Sequence, residues 1–467
     1  MKRRDFLNMG VLATVGSAVV TPTFAGQLAK NLPALSAGKA KNIIFMVSDG
    51  MSNGTLNMAD LLLQRKEGRY SNWLKLYREH KAVRAFMDTA SADSMVTDSA
   101  AGSSSWGGGV RVNNGALNVG PDGTAHKPIL QKFKEGGKSV GCVTTVPITH
   151  ATPAGFCVST KSRGSQEDIA TMYLDLNFDV MMGAGLEFFS ADKRKDKRDL
   201  FAEFGNKGYH VARTKTEMES SMPGKHLLGV FYEDGLPFSL DQSSDAKLIK
   251  EIPTLADMTR KAIAQMSRNP NGFVLQVEGG KVDWGAHAND LGALIYDQIA
   301  FDDAIAVAIE FAEKNQDTLV VMTTDHGNAN PGLIKSKNVD TCFDTLKNFK
   351  HTNEWILYGI RKTDSVQQVI DRIYEAQGIA VTKDEASEIL THYSDLDNDG
   401  IYNAYKLPFR RLAQIQQNYT SVGWSGMDHS ADFVELGMFG PGSEKLPAFV
   451  KNIELHNFML KATGFMG

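Results

Sequence analysis

The sequence predicts an α/β fold: a three-layer α/β/α sandwich with a large, mostly parallel central sheet and a helical cap insertion. Three observations predict it. Four near-continuous apolar runs, at 42–47, 140–145, 273–277 and 319–324, suit strands buried on both faces of a parallel sheet. Stretches with helical periodicity lie between them, the alternation expected of a layered α/β domain. Each run leads to polar residues able to carry chemistry, at the strand ends where such sheets bind ligands.

In chain order, the run at 42–47 leads to Ser48-Asp49-Gly50, and that at 140–145 leads through Pro147 to His150 and Thr152. The run at 273–277 leads to Glu278-Gly279-Gly280, and that at 319–324 to Asp325-His326-Gly327. The longest helical pattern spans 283–314. The stretch from 331 to 424 has a different texture, with helix patterns near 364–377, 382–393 and 403–417. It reads as a helical insertion above the sheet, a cap over the site's mouth or a dimer contact. Within it, Asp395-Leu396-Asp397-Asn398-Asp399-Gly400 resembles the start of a calcium loop. Lys406 stands where the bidentate acid belongs, so it reads as a solvated acidic turn.

Composition narrows the function classes. The 467 residues are 42% hydrophobic and 22% charged, which suits an ordinary globular protein. The net charge of -4 includes a basic N-terminus, so the remainder is more acidic still, against non-specific nucleic-acid binding. No internal run is long and apolar enough to span a bilayer. Residues 1–25 read as a secretory leader, with Arg3-Arg4-Asp5-Phe6-Leu7 resembling a twin-arginine signal. That leaves 26–467 as a single domain, periplasmic or secreted. Three cysteines, Cys142, Cys157 and Cys342, do not make a disulfide framework, and Cys142 reads as packing.

The chemistry rests on a constellation. Asp283 and His287 are four residues apart, so on a helix one cation can take both. Asp49, Asp325-His326, Glu278 and His429 add ligand types suited to divalent metals, and paired metals clamp a transferring phosphoryl group. Ser99, in Thr97-Asp98-Ser99-Ala100-Ala101, precedes small residues that start a helix; it is a nucleophile candidate and equally a helix cap. Arg163 offers a planar fork for phosphate.

Together these motifs resemble the alkaline phosphatase family, in order and over nearly the whole chain after the leader. The match includes His429-Ser430-Ala431-Asp432 with Gly440-Pro441-Gly442, and the segment 179–185. The resemblance implies two Zn²⁺ and one Mg²⁺ per chain. Asp283, His287 and His429 would hold the first zinc, and Asp49, Asp325 and His326 the second, which also meets Ser99. Asp49, Thr152 and Glu278 would surround the magnesium. Arg163, oriented by Asp98, would bind phosphate.

It further implies a homodimer that hydrolyses small phosphate monoesters to alcohol and inorganic phosphate through a phosphoserine. Two positions depart from the best-known bacterial pattern. His150 replaces an aspartate at the third metal site, opening it to another divalent metal. Trp284 replaces a lysine, removing a cation near the phosphate. His351 is a decoy for His429, since both precede similar contexts. The alternatives are a phosphodiesterase or sulfatase of the same superfamily, a mutase, or a non-catalytic metal- or phosphate-binding protein.

Overall fold

Alternate residues of the first strand face opposite cores, which organises the molecule. The computed structural model describes residues 39–394 and 406–465. The segments expected to be a leader, 1–25, and an acidic turn, 395–400, lie outside the described residues. Strands β1 (Asn42–Val47), β2 (Val83–Met87), β3 (Ser139–Pro147), β4 (Val180–Ala184), β5 (His210–Ala212), β6 (Leu227–Val230), β7 (Phe273–Glu278) and β8 (Thr318–Thr323) belong to one sheet. Two short antiparallel pairs follow, β9 (Gly327–Asn328) with β12 (His429–Ser430) and β10 (Gly332–Leu333) with β11 (Val422–Gly423). Strands β13 (Val434–Phe439) and β14 (Phe449–Val450) complete the large sheet.

Its order is β14-β2-β13-β8-β1-β7-β3-β4-β6-β5, ten strands in all. Every pairing is parallel except those of β13 with β2 and β8. Ile43, Phe45 and Val47 of β1 enter one core with Trp106, Phe133, Phe156 and Leu455. Ile44 and Met46 enter the other with Met58, Met258, Leu294 and Ile305. Both faces of the sheet are therefore covered, the three-layer arrangement expected from continuous apolar strands.

The four strands whose ends carry the site, β8-β1-β7-β3, are adjacent at the centre of the sheet. Their parallel register pairs Val47 with both Glu278 and Thr323, and Thr144 with Glu278, so β8, β1 and β7 end at one level and β3 runs three residues further, to Pro147.

One predicted helix differs. The pattern at 283–314 is two helices, Lys281–His287 and Leu291–Lys314. Asn289 takes a left-handed φ of 49° between them. Asp290 caps the second by accepting from the Ala293 N–H at 3.0 Å, and it also accepts from the Glu354 N–H. Local capping chemistry wins over a continuous apolar stripe there.

The β10–β11 pair closes the base of the insertion. Its helices, including Asn353–Gly359, Val366–Gln377, Lys383–Ser394 and Phe409–Thr420, bury Ile356, Ile373, Ile389 and Leu412 in the same core as the Leu291–Lys314 helix. The predicted helix start at 403 falls in residues that are not described; the helix begins at Phe409 among those that are.

Candidate metal centre and active site

Three ligand groups form where the central strands end. Asp283, His287 and His429 make the first; Asp49, Asp325 and His326 the second; Asp49, His150 and Glu278 the third. Asp49 belongs to two of them. It sits immediately beyond β1, fully buried, where Gly50 turns the chain at a φ of 65°. A Cβ on Gly50 would lie 2.4 Å from Asp283 Oδ1, so glycine here serves both the turn and the close approach of Asp283.

Each short element delivers its ligand for a local reason. The Lys281–His287 helix puts Asp283 and His287 on one face, with Oδ2 and Nε2 3.4 Å apart. Pairing of β12 with β9 carries His429 beside His326, where the rings stack at 3.6 Å. Asp325 Oδ1 accepts from the N–H groups of Gly50 and His326, both at 3.1 Å. Its Oδ2 is buried with no hydrogen-bond partner, as is Glu278 Oε1. Thr144 donates to the other Glu278 oxygen at 2.5 Å.

The histidines are set as ligands by their second nitrogens. His287 Nδ1 lies 2.6 Å from the Met427 carbonyl, and His429 Nδ1 2.9 Å from the Thr97 carbonyl. A carbonyl only accepts, so each Nδ1 carries the proton and each Nε2 presents a lone pair. Those two Nε2 atoms face each other at 3.0 Å. Two opposed lone pairs beside a carboxylate call for a cation. His326 follows the same logic, with Nδ1 toward the Gly327 carbonyl at 3.3 Å.

Electrostatics agrees. Burial, then the charges of Asp325, Asp283 and Glu278, push the Asp49 carboxyl well above its usual range. Burial lifts Glu278 to about 7, against the pull of Thr144 and Thr152. Burial, followed by His429, lowers His326 to about 3, so it stays neutral and free to ligate. Carboxylates crowded in a dry site repel one another, and divalent cations reverse that repulsion. The residues therefore fit bound metal.

Ser99 opens the buried Ser99–Gly107 helix, its Oγ 3.3 Å from His326 Nε2 and 3.5 Å from Asp49 Oδ1. The helix cap is Asp98, not Ser99: Asp98 Oδ1 accepts from the Ala101 N–H at 2.9 Å. Asp98 Oδ2 accepts from Arg163 Nη1 at 2.9 Å and from the Gly115 N–H at 3.0 Å. Ser99 is thus left with its hydroxyl turned to the metal groups.

Thr152 Oγ1 lies 3.4 Å from Asp49 Oδ2, at the start of the Ala151–Cys157 helix. His150 Nε2 is 3.1 Å from Arg163 Nη2. Arginine only donates, so this nitrogen accepts and the ring proton lies on the buried Nδ1, which has no partner. In this arrangement His150 holds Arg163 through Nε2 and stands beside Asp49 and Glu278 of the third group. His351 is elsewhere, bonded to Asp241 at 3.0 Å and stacked on Trp355.

Sequence reasoning missed Asn328, whose Nδ2 donates to Asp283 Oδ1 at 2.7 Å, and Thr144. Asn328 directly follows Asp325-His326-Gly327, and Thr144 lies in a strand run that already leads to the site. Only the pairing of distant segments identifies their roles.

Comparisons with known proteins agree with this geometry. Residues 40–465 match the family model described as alkaline phosphatase. Alkaline phosphatase 4 of Bacillus subtilis is 31% identical over 460 residues, covering 95% of this chain and 94% of its own. The Escherichia coli alkaline phosphatase is 29% identical over 357 residues, covering 65% of this chain and 76% of its own. The crystal structure of Thermus thermophilus alkaline phosphatase superposes with a TM-score of 0.84 at 29% identity, covering 96% of each chain. The chain belongs to the alkaline phosphatase family of metal-dependent hydrolases; it has their fold, and its own candidate ligand groups suit such an enzyme.

Proposed function

We propose that this chain is an exported phosphomonoesterase that works through a phosphoserine on Ser99. One observation carries the reading: Ser99 Oγ lies within 3.5 Å of both Asp49 and His326, where two ligand groups share Asp49. Asp283, His287 and His429 would hold one zinc, and Asp49, Asp325 and His326 the other. Asp49, Thr152 and Glu278 would hold magnesium or another divalent ion, with His150 alongside. Bound there, the cations supply Lewis acidity and neutralise charge on the transferring phosphoryl group.

The chain's own residues do the rest. Ser99 Oγ attacks phosphorus in line; the Ser99–phosphorus bond forms as the ester P–O bond breaks, and the leaving oxygen departs as the alcohol, taking up a proton in place of the one Ser99 releases to solvent. Water then attacks the phosphoserine, releasing inorganic phosphate and restoring Ser99. Arg163 spends one hydrogen of each Nη on Asp98 and His150, leaving the second hydrogens and Nε–H for phosphate oxygens. The N-terminus of the Ser99–Gly107 helix favours the anion. Two successive displacements give retention at phosphorus.

The leader at 1–25 supports twin-arginine export to the periplasm or beyond, with 26–467 acting as one domain and as a homodimer. No helix among the described residues is long and apolar enough to cross a membrane.

Metal content and p-nitrophenyl phosphate hydrolysis test the proposal, on wild type and Ser99→Ala, before and after chelation. Ser99→Ala keeps its metal and loses kcat by on the order of 10³-fold or more. Metal-loaded wild type that turns over phosphate diesters or sulfate esters but no monoester would overturn the substrate class.

A further inference from the structure

Lys281 is the exception among the buried lysines. Its side chain is 4% exposed, yet its ammonium has no hydrogen-bond acceptor among the described residues. Lys138, 6% exposed, donates to the carbonyls of Lys41 and Asn271 at 2.6 and 2.7 Å. Lys281 instead lies between two rings, with Nζ 3.6 Å from the Phe238 centroid and 4.4 Å from that of Trp284. A desolvated ammonium over aromatic faces interacts more strongly than an exposed one. Burial opposes its charge, and the nearby carboxylates of Glu354, Asp297, Asp234 and Asp241 favour it.

The clamp is tight on its other side. A Cβ on Gly235 would lie 2.7 Å from Trp284 Cζ3 and 3.2 Å from Lys281 Cδ, so the chain at Gly235 closes directly over the indole. Trp284 then meets His150 edge to face, with centroids 6.4 Å apart and planes at 76°. His150 in turn accepts from Arg163, whose other terminal nitrogen donates to Asp98. Asp98 is anchored by backbone N–H groups on two segments. His150 has no such anchor: its Nδ1 is without a partner, so its ring depends on what packs against it.

From the Lys281–Trp284–His150–Arg163 series of contacts, we infer that Lys281 is a positioning residue for the phosphate-binding Arg163. The ammonium pins the indole, the indole sets the His150 ring, and the ring fixes one terminal nitrogen of the guanidinium. Lys281 does not touch substrate. The inference rests on the proposed role of Arg163 and adds the residues that aim it.

The test reads phosphate affinity, by calorimetric titration of the metal-loaded protein with inorganic phosphate, beside kcat and KM for p-nitrophenyl phosphate. Lys281→Met weakens phosphate binding and raises KM by up to about thirtyfold, the scale of one desolvated cation–π contact. Its kcat changes less than twofold and its metal content stays at the wild-type level. Lys281→Arg, which keeps a cation over the rings, restores both constants to within about twofold.

In a Trp284→Leu background, Lys281→Met has no further effect on phosphate. Unchanged phosphate affinity in Lys281→Met, or the same loss with and without Trp284, overturns the inference. Should Lys281→Met fail to fold, Gly235→Ala crowds the indole and the Lys281 stem together, and unchanged affinity there overturns it equally. Wild type that neither binds phosphate nor hydrolyses the monoester overturns the functional reading and this inference with it. Active wild type with an indifferent Lys281→Met overturns this inference alone.

Discussion

Individual side chains at this site work by leaving one atom free. Asp325 ties Oδ1 to two backbone N–H groups and keeps Oδ2 unpaired; Glu278 ties one oxygen to Thr144 and keeps the other. Asn328 does the same for Asp283 by holding Oδ1. Partners of this kind orient ligands, and their loss typically costs about 10- to 100-fold in metal affinity. Asn328→Ala is expected to weaken zinc binding by a factor in that range, read by competition with a metal indicator while the fold stays intact.

His429 and His351 give a sharper contrast. His429→Ala should lose the metal shared with Asp283 and His287, whereas His351→Ala, which breaks a contact to Asp241 and a stack on Trp355, should keep full metal content. Metal analysis of the two purified variants decides it, and equal retention would remove His429 from the first group.

Among the helices, the one that opens with Ser99 is held at both ends. Asp98 caps its start. Near its end, His456 of the Glu454–Thr463 helix contacts the Trp106 carbonyl through Nδ1 at 2.7 Å and Lys132 Nζ through Nε2 at 2.8 Å. One nitrogen must donate to a carbonyl and the other accept from an ammonium, so the ring is required neutral. Burial lowers His456 to about 4, with the Lys132 charge acting in the same direction.

The unfolded ring titrates near 6.5, so this contribution to stability is complete above pH 6.5 and is lost as pH falls toward 4. The loss is about 3 kcal/mol at its limit. Thermal melts of wild type should therefore fall between pH 6.5 and 4 by more than those of His456→Gln. Parallel curves would show that the ring carries no such penalty.

Across the whole molecule, the cost of gathering four buried carboxylates is met only when cations are present. Asp49, Glu278 and Asp325 are all pushed toward protonation without them, with burial the leading cause for each. Anything that binds the folded state alone stabilises it, by about 2.7 kcal/mol at a hundredfold excess over Kd. Chelation should lower Tm by several degrees, with zinc restoring it; an unchanged Tm would mean that the ligand groups bind no metal in solution. The two apolar cores and the ten-stranded sheet hold the frame on which this site is assembled.

Much of this was legible in the linear chain, because its signals are local. Apolar runs of six or so residues announce buried parallel strands, and Asp283 with His287 announces one helix face. The strand ends at Asp49, Glu278 and Asp325 follow from the same runs, as does the start of a helix at Ser99. Tertiary structure decided which strands became neighbours, and so that Asp49 serves two ligand groups. It alone showed that Asp98 rather than Ser99 caps the helix, that Asn328 holds Asp283, and that His150 accepts from Arg163. Local capping by Asp290 ended the long helix at Asn289, and the fold added the Glu354 N–H that Asp290 also accepts. The physical reason is one of range: periodicity acts within a few residues, whereas the contacts of His150 with Arg163, Asn328 with Asp283 and Glu354 with Asp290 join segments 13, 45 and 64 residues apart and exist only after the fold has brought them together.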